Sequence, residues 1–176
     1  MSDQLRERDI YAIEWCGPIS WEQALAEENI GKLLYCIYGN HPVYGGSTLL
    51  CIGMTIGTLG AKMRDHKRWV GYESASFEVR YGKVYDFTCW DCFLPEKNDV
   101  GCALLLDETE APEEFERILL DIESLLIFAH QPAYNSESLK TFRNPDIRLF
   151  NFRNVGKLLP EVGGRYYHNG PLRVEE

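Results

Sequence analysis

Long hydrophobic runs are missing from this chain, and one class of function goes with them. Apolar stretches such as Ala103-Leu104-Leu105-Leu106, which stops at Asp107, are short, far below the ~18 residues that a membrane helix needs. No membrane partner is expected. The first residues, Met1-Ser2-Asp3-Gln4, lack a charged-then-apolar signal pattern, so a cytoplasmic location is expected. No internal repeat or low-complexity tract is visible, which excludes solenoids and tails of biased composition. A complete zinc signature is lacking too. Cys89-Trp90-Asp91-Cys92 could be joined by Cys102, but neither a second Cys-x-x-Cys nor a His pair follows, and zinc needs four ligands. The same pair precedes Phe93-Leu94-Pro95 rather than opening a helix, so a thioredoxin-like site is not expected either. Without an export signal, the six cysteines read as free thiols in a reducing compartment.

Positive charge is also scarce. Against 27 acidic residues there are 18 basic ones, a net charge of −9, which by itself argues against nucleic acid as a partner. The distribution changes that reading. Residues 1–30 carry 2 basic and 7 acidic groups and residues 93–123 carry 2 and 10, whereas residues 31–92 carry 7 and 5. Between the two acidic blocks lies Lys62-Met63-Arg64-Asp65-His66-Lys67-Arg68, a basic patch that is either a solvated helix face or a phosphate-contacting surface. With 176 residues, 45% of them hydrophobic and 26% charged, the chain is long enough for one soluble domain with a sizeable core.

Local patterns give the elements. Residues 10–15 read as a short extended piece broken by Gly17-Pro18. Ser20-Trp21-Glu22-Gln23 is a capping box that starts a helix running to about Asn29. Leu33 to Gly39 and Leu49 to Thr55 read as two strands of a hairpin, joined by a loop holding Pro42, Gly45 and Gly46. Thr58 caps a helix to about Trp69, with Leu59, Met63 and His66 on one stripe. One or two further strands fit residues 77–87. Pro112-Glu113-Glu114 opens the clearest helix of the chain, with Phe115, Ile118, Leu119, Ile122 and Leu126 at helical spacing. It should end before Pro132. Residues 147–152 and the Tyr166-Tyr167 region suggest terminal extended pieces.

Two features could carry chemistry. Glu123 lies four residues after Leu119 and three before Leu126, so it projects from the apolar stripe of its helix. A carboxylate there must be paired, protonated or holding a metal, because an isolated buried charge is too costly. The plain alternative is an arginine partner at the helix edge. Lys62 and His66, at i and i+4, share one helix face, where a cation beside an imidazole can hold a phosphate and move a proton. The plain alternative there is a surface lysine and a half-buried histidine.

Taken in order, these pieces resemble the GIY-YIG endonuclease superfamily. Cys36-Ile37-Tyr38 and Cys51-Ile52-Gly53-Met54-Thr55 look like its two signature strands. Leu59-Gly60-Ala61-Lys62-Met63-Arg64-Asp65-His66 is similar to its Leu-x-x-Arg helix with the later His of restriction-type members. Glu123, followed twelve residues on by Asn135 after Pro132, resembles its metal-binding Glu and Pro-x-x-Asn ending. The resemblance spans about residues 33–135.

It implies an α/β (mixed α+β) fold with a small central three-stranded antiparallel sheet flanked by helices. Residues 1–32 would then be an N-terminal extension, 33–136 the nuclease-like core and 137–176 a C-terminal extension packed on it. The implied activity is hydrolysis of DNA phosphodiesters with one Mg²⁺ or Mn²⁺ ion, RNA being left open and a homodimer allowed. Glu123 would tether the ion, since Mg²⁺ keeps several waters and can manage with one carboxylate. Lys62 would neutralise charge on the phosphorane, Tyr38 and His66 would orient or deprotonate water, and Asn135 would fix the turn or touch phosphate. Arg64, Lys67 and Arg68 would contact the nucleic acid. Two positions depart from the pattern: Cys51 stands where the family has its second tyrosine, and Lys62 where it has arginine, without the bidentate fork. The competing expectation is a catalytically degenerate domain that binds nucleic acid or protein without cutting.

Overall fold

Ile10-Tyr11-Ala12-Ile13 is a continuous apolar run, as suits a strand covered on both faces, and a single strand results, β1 (Ile10–Ser20). The break expected at Gly17-Pro18 is absent. The pairing of β1 is interrupted between Cys16 and Ile19, and at such a bulge a proline's missing N–H costs no ladder bond. The capping box forms as expected: Ser20 accepts from the Gln23 N–H, the Gln23 side chain accepts from the Ser20 N–H, and α1 (Trp21–Ala26) follows. The hairpin is β2 (Gly31–His41) and β3 (Gly45–Thr58). Thr58 Oγ1 accepts from Ala61 N–H at 3.2 Å at the start of α2 (Leu59–Val70). One strand, β4 (Glu78–Asp86), occupies the region where one or two were expected. A short 3₁₀ turn (Trp90–Phe93), α3 (Pro112–His130), β5 (Arg148–Phe152), β6 (Glu161–Gly163) and α4 (Gly164–Asn169) complete the chain. Tyr166 and Tyr167 are therefore helical rather than extended. This computed structural model describes residues 9–70, 77–93, 105 and 110–169, with backbone alone for 67–70 and 168–169.

The fold is mixed α/β, with one six-stranded sheet in the order β3-β2-β4-β1-β5-β6. The expected three-stranded sheet is thus too small. Strands β3, β2, β4 and β1 are antiparallel in succession, β5 joins β1 in parallel, and β6 closes the far edge. β1 lies inside the sheet and β5 beside it, so segments expected outside a 33–136 core supply strands to the same sheet.

Two helical layers cover the sheet, and β2 shows how the sequence divides them. Leu34, Cys36 and Tyr38 face a core built on α3, with Phe115, Ile118, Leu119, Ile122, Leu125 and Leu126. Leu33, Tyr35 and Ile37 face the other core, with Trp21 and Ala24 of α1 and Leu59 and Met63 of α2. This is the period of two expected of a strand buried on both sides. Near the 3₁₀ turn, Tyr85, Cys92 and Phe93 form a third cluster, with Phe87 and Phe152 packed against it. Cys92 is disulfide-bonded. The expectation of free thiols therefore fails there, while Cys16, Cys36, Cys51 and Cys89 are free. Among the described residues, no helix is long and apolar enough to cross a membrane.

Candidate active site at the outer edge of the sheet

β3 is the outermost strand, so the backbone groups on its far side must find partners elsewhere or face water. The end of α3 and the segment after it supply them. The carbonyls of Leu49 and Leu50 accept from the N–H groups of Ala133 and Tyr134 at 3.2 and 2.8 Å. At Ile52 the side chain of Asn135 stands in for a strand: Oδ1 accepts from the Ile52 N–H and Nδ2 donates to its carbonyl, each at 2.9 Å. Two residues on, the Met54 N–H donates to Glu123 Oε1 at 3.1 Å.

The arginine partners expected for Glu123 go to Asp121 instead. That buried carboxylate accepts from Arg117 Nη1 and Arg143 Nε, both at 3.0 Å. Glu123 has the Met54 N–H, and burial raises its carboxyl above the ordinary glutamate value, opposed by that N–H and by Lys62. Its Oε2 makes no hydrogen bond among the described residues.

From the other face of the sheet, Tyr35 on β2 pairs directly with Gly53 on β3. Its ring crosses above Gly53, where a Cβ would overlap the phenol oxygen. An aromatic opposite a strand glycine is a compact arrangement that only glycine permits. The hydroxyl lies 2.7 Å from His66 Nε2, with the rings edge-on at 5.5 Å. Burial lowers the His66 imidazole below its usual value, helped by the Lys62 ammonium. Burial first, then neighbours that include the Glu123 carboxylate, holds Tyr35 as a phenol well above the ordinary range. Cys51 is pushed up to about 12 by burial and Glu123, against the pull of Lys62. The thiol is therefore neutral and donates weakly to the Ile52 carbonyl at 3.6 Å.

α2 and α3 pack on opposite faces of the sheet, yet their side chains converge. Tyr35 caps Gly53 from one face, and Glu123 accepts from the N–H of the peptide joining Gly53 to Met54. Lys62 acts electrostatically on Cys51, His66 and Glu123 together. The strand edge is what lets groups from both faces meet.

Of the residues expected in the site, Cys51, Lys62, His66, Glu123 and Asn135 gather at this edge. Tyr38 does not. Three residues beyond Tyr35 on a strand, it points to the opposite face, into the α3 core. There its oxygen accepts from the Lys157 N–H at 3.3 Å, and the Arg80 guanidinium sits 5.7 Å from its ring. Tyr35 is the tyrosine that lies at this edge; sequence reasoning did not single it out, and the signal that finds it is its register opposite Gly53. Arg64 is turned away as well. It is bonded to Glu28 at 2.6 Å and to the Leu25 carbonyl at 3.4 Å, on the side of α1. The side chains of Lys67 and Arg68 lie outside the described residues. Asn135 has both amide atoms committed to Ile52, so it positions the edge.

Gly53→Ala tests the geometry. The added methyl must displace the Tyr35 ring, at a cost of about 1–3 kcal/mol for overpacking. A Tm lower by roughly 3–10 °C is expected, with loss of the Tyr35 contact visible as a shifted His66 imidazole titration. An unchanged Tm and titration would show that Tyr35 is not confined above Gly53.

No family model, curated protein or solved structure matches this chain.

Proposed function

We propose that this protein is a divalent-metal-dependent endonuclease that hydrolyses phosphodiester bonds of DNA, with a divergent GIY-YIG-type site. The observation that carries the reading is the meeting of Tyr35, His66, Lys62 and Glu123 at the Gly53–Met54 peptide. A further support is the antiparallel set β3-β2-β4, followed in the chain by a glutamate helix whose end is tied back to β3 by Asn135.

The donor set suits one hard cation. Asn135 has no free amide atom and Cys51 is a neutral thiol, so of the expected site residues Glu123, through Oε2, is the one that would hold it. Mg²⁺ or Mn²⁺ accepts one carboxylate and fills its remaining positions with water and phosphate oxygens. Bound there, the ion supplies positive charge against the phosphate and the leaving oxygen.

The chain's own groups do the rest. His66, neutral near pH 7, takes the Tyr35 phenol proton at Nε2 while the Tyr35 oxygen takes a proton from the attacking water. Holding the pair 2.7 Å apart in a partly buried contact reduces the need to reorganise solvent. The Lys62 ammonium stabilises the charge growing on the phosphorane. Cys51 lies where a second phenol would help to place the water.

Supercoiled plasmid incubated with pure protein and Mn²⁺ should be nicked and linearised, and EDTA should stop the reaction. No cutting of DNA or RNA with either metal would leave the second reading, a binding module without activity. Two observations favour that alternative: the thiol at Cys51, and the use of Glu123 as an acceptor for the edge strand.

The proposed pair sets a pH dependence. His66 must be neutral, and its value lies below 6.5; Glu123 must be ionised, and its value lies above 4.5. The acid limb of kcat/KM is therefore set by whichever of the two groups has the higher value, and it lies above 4.5. Stability should not follow it. A lowered histidine contributes stability that is complete above 6.5 and lost as pH falls toward its folded value. A raised carboxyl does the reverse, contributing stability at low pH that is lost as pH rises above 4.5. The two slopes have opposite signs. Activity falling with acid while Tm stays level would fit the reading; full activity of His66→Gln would remove His66 as the base.

A further inference from the structure

The tip of the β2–β3 hairpin exposes two large side chains, Val43 at 79% and Tyr44 at 70%. The tip is nonetheless ordered by its own bonds. His41 Nδ1 accepts from the N–H groups of Val43 and Tyr44 at 3.1 and 3.2 Å. The His41 ring stacks on Tyr44, with centroids 4.6 Å apart and planes 25° from parallel, and lies 5.6 Å from Tyr134. Tyr44 is thus a rigid aromatic face turned to solvent.

Beneath it, between the hairpin and the C-terminal end of α3, is a cavity of about 390 Å³, within the range of small-ligand pockets. Its wall includes Tyr44, Thr48, Leu49, His130, Gln131 and Lys157, and among the described residues no carboxylate. In a chain of net charge −9, that composition is selective. His130 is held by the Leu126 carbonyl at Nδ1 and by the Leu159 N–H at Nε2, so it offers the pocket a ring. Gln131 donates through Nε2 to the carbonyls of Phe128 and Leu139, which fixes its amide and leaves Oε1 as an acceptor. The Lys157 ammonium makes no ion pair among the described residues. A flat π-face, a fixed acceptor for an exocyclic amine and a cation for phosphate are together the chemistry that holds a nucleotide.

The position fits the same ligand. The pocket meets β3 at Leu49, and the candidate site lies at Met54, five residues along the same edge. That is roughly 17 Å at the rise of a strand, or a few nucleotides of a polynucleotide. We propose that this pocket receives one unpaired base of the substrate strand, stacked on Tyr44, so that the preferred substrate carries single-stranded nucleotides a short distance from the bond to be cut. This rests on the nuclease reading above for its substrate, but the pocket can be tested without cleavage.

The test is fluorescence anisotropy of the full chain in EDTA, with a labelled mixed-sequence single strand and the matching blunt duplex. Tyr44→Ala should weaken single-strand binding about ten- to hundredfold, the loss of one stacked base, and Tyr44→Trp should restore it. Duplex binding should be unchanged in both variants. Tyr44 is exposed, so unaltered Tm values will confirm folding. Lys157→Ala should flatten the log–log salt dependence by about 0.7, one phosphate contact on a single strand. Equal single-strand affinity of Tyr44→Ala and the parent would overturn the proposal, as would no binding at all, or adenosine monophosphate competing as tightly as the strand. The two readings fail separately. A chain that never cuts yet loses single-strand affinity with Tyr44 keeps the pocket and drops the nuclease. A chain that cuts with no dependence of strand preference on Tyr44 keeps the nuclease and drops the pocket.

Discussion

Glu123→Gln is expected to abolish metal-dependent cleavage while leaving the fold intact. The substitution separates the two tasks of this side chain. Glutamine retains an Oε1 that can accept the Met54 N–H, the bond that ties α3 to the strand edge. It cannot supply the charge that would hold a divalent ion. Burial already raises the Glu123 carboxyl, so its ionised form works against folding, and removing that charge should leave Tm unchanged or slightly higher. The loss of cleavage should be at least about a thousandfold, equivalent to ~4 kcal/mol in the barrier. Asp121→Asn is the control, two residues earlier on the same helix. It removes the charge that pairs with Arg143 and with Arg117, which keeps Glu114, and because those arginines are half-exposed the cost should be about 1–2 kcal/mol. Asp121→Asn should therefore lower Tm with little loss of specific activity, and Glu123→Gln the opposite. Metal-dependent cutting by Glu123→Gln would place the ion on other groups.

That carboxylate was legible because helices advertise their buried faces. Pro112, the acidic first turn and the spacing of Phe115 through Leu126 identify α3, and Glu123 stands out against its stripe. Position on the stripe could not say which carboxylate owns the arginines, since Arg143 comes from a loop 22 residues downstream of Asp121. The capping box of Ser20 and the hairpin were equally legible, because each is written within a few neighbouring residues. β1 was under-read for a physical reason: Gly17-Pro18 looks like a break until the bulge that accommodates it is seen. Strand β5 presents an ordinary short extended run, and nothing local announces that it will pair in parallel with β1, 138 residues earlier at Ile10 and Arg148. Sheet size is therefore where local pattern ran out.

The tyrosine failed for a different reason. A strand repeats every two residues, so choosing Tyr38 rather than Tyr35 is a three-residue shift that reverses the face. Cys36-Ile37-Tyr38 satisfies a three-letter pattern, but the pattern contains no cross-strand information. Gly53 does. A glycine within an otherwise apolar strand marks a close approach, and the residue paired with it is Tyr35. Reading the two strands against each other, rather than one at a time, recovers the face, and the face carries His66 with it.

Tyr35→Phe and Tyr38→Phe put that distinction to the largest remaining test. Both remove one hydroxyl and keep the ring, so packing is preserved in each. At position 35 the lost oxygen is the one 2.7 Å from His66 Nε2; at 38 it is an acceptor for the Lys157 N–H at 3.3 Å, on the far face of the sheet. Each lost hydrogen bond should cost about 1 kcal/mol, giving similar Tm decreases of roughly 2–4 °C. Equal stability loss makes the activity comparison clean. Tyr35→Phe should lower cleavage about 10²- to 10⁴-fold, the usual worth of a positioned proton acceptor, whereas Tyr38→Phe should cut within about twofold of the parent. The pH profile gives an independent readout. Without the phenol, His66 no longer receives its proton, so the residual activity of Tyr35→Phe should keep only the dependence on Glu123 ionisation, whereas Tyr38→Phe should keep the His66 dependence as well. A severe loss in Tyr38→Phe with Tyr35→Phe intact would move the chemistry to the α3 face and leave the Tyr35–His66 contact a packing feature. Full activity in both variants would mean that neither phenol touches the attacking water.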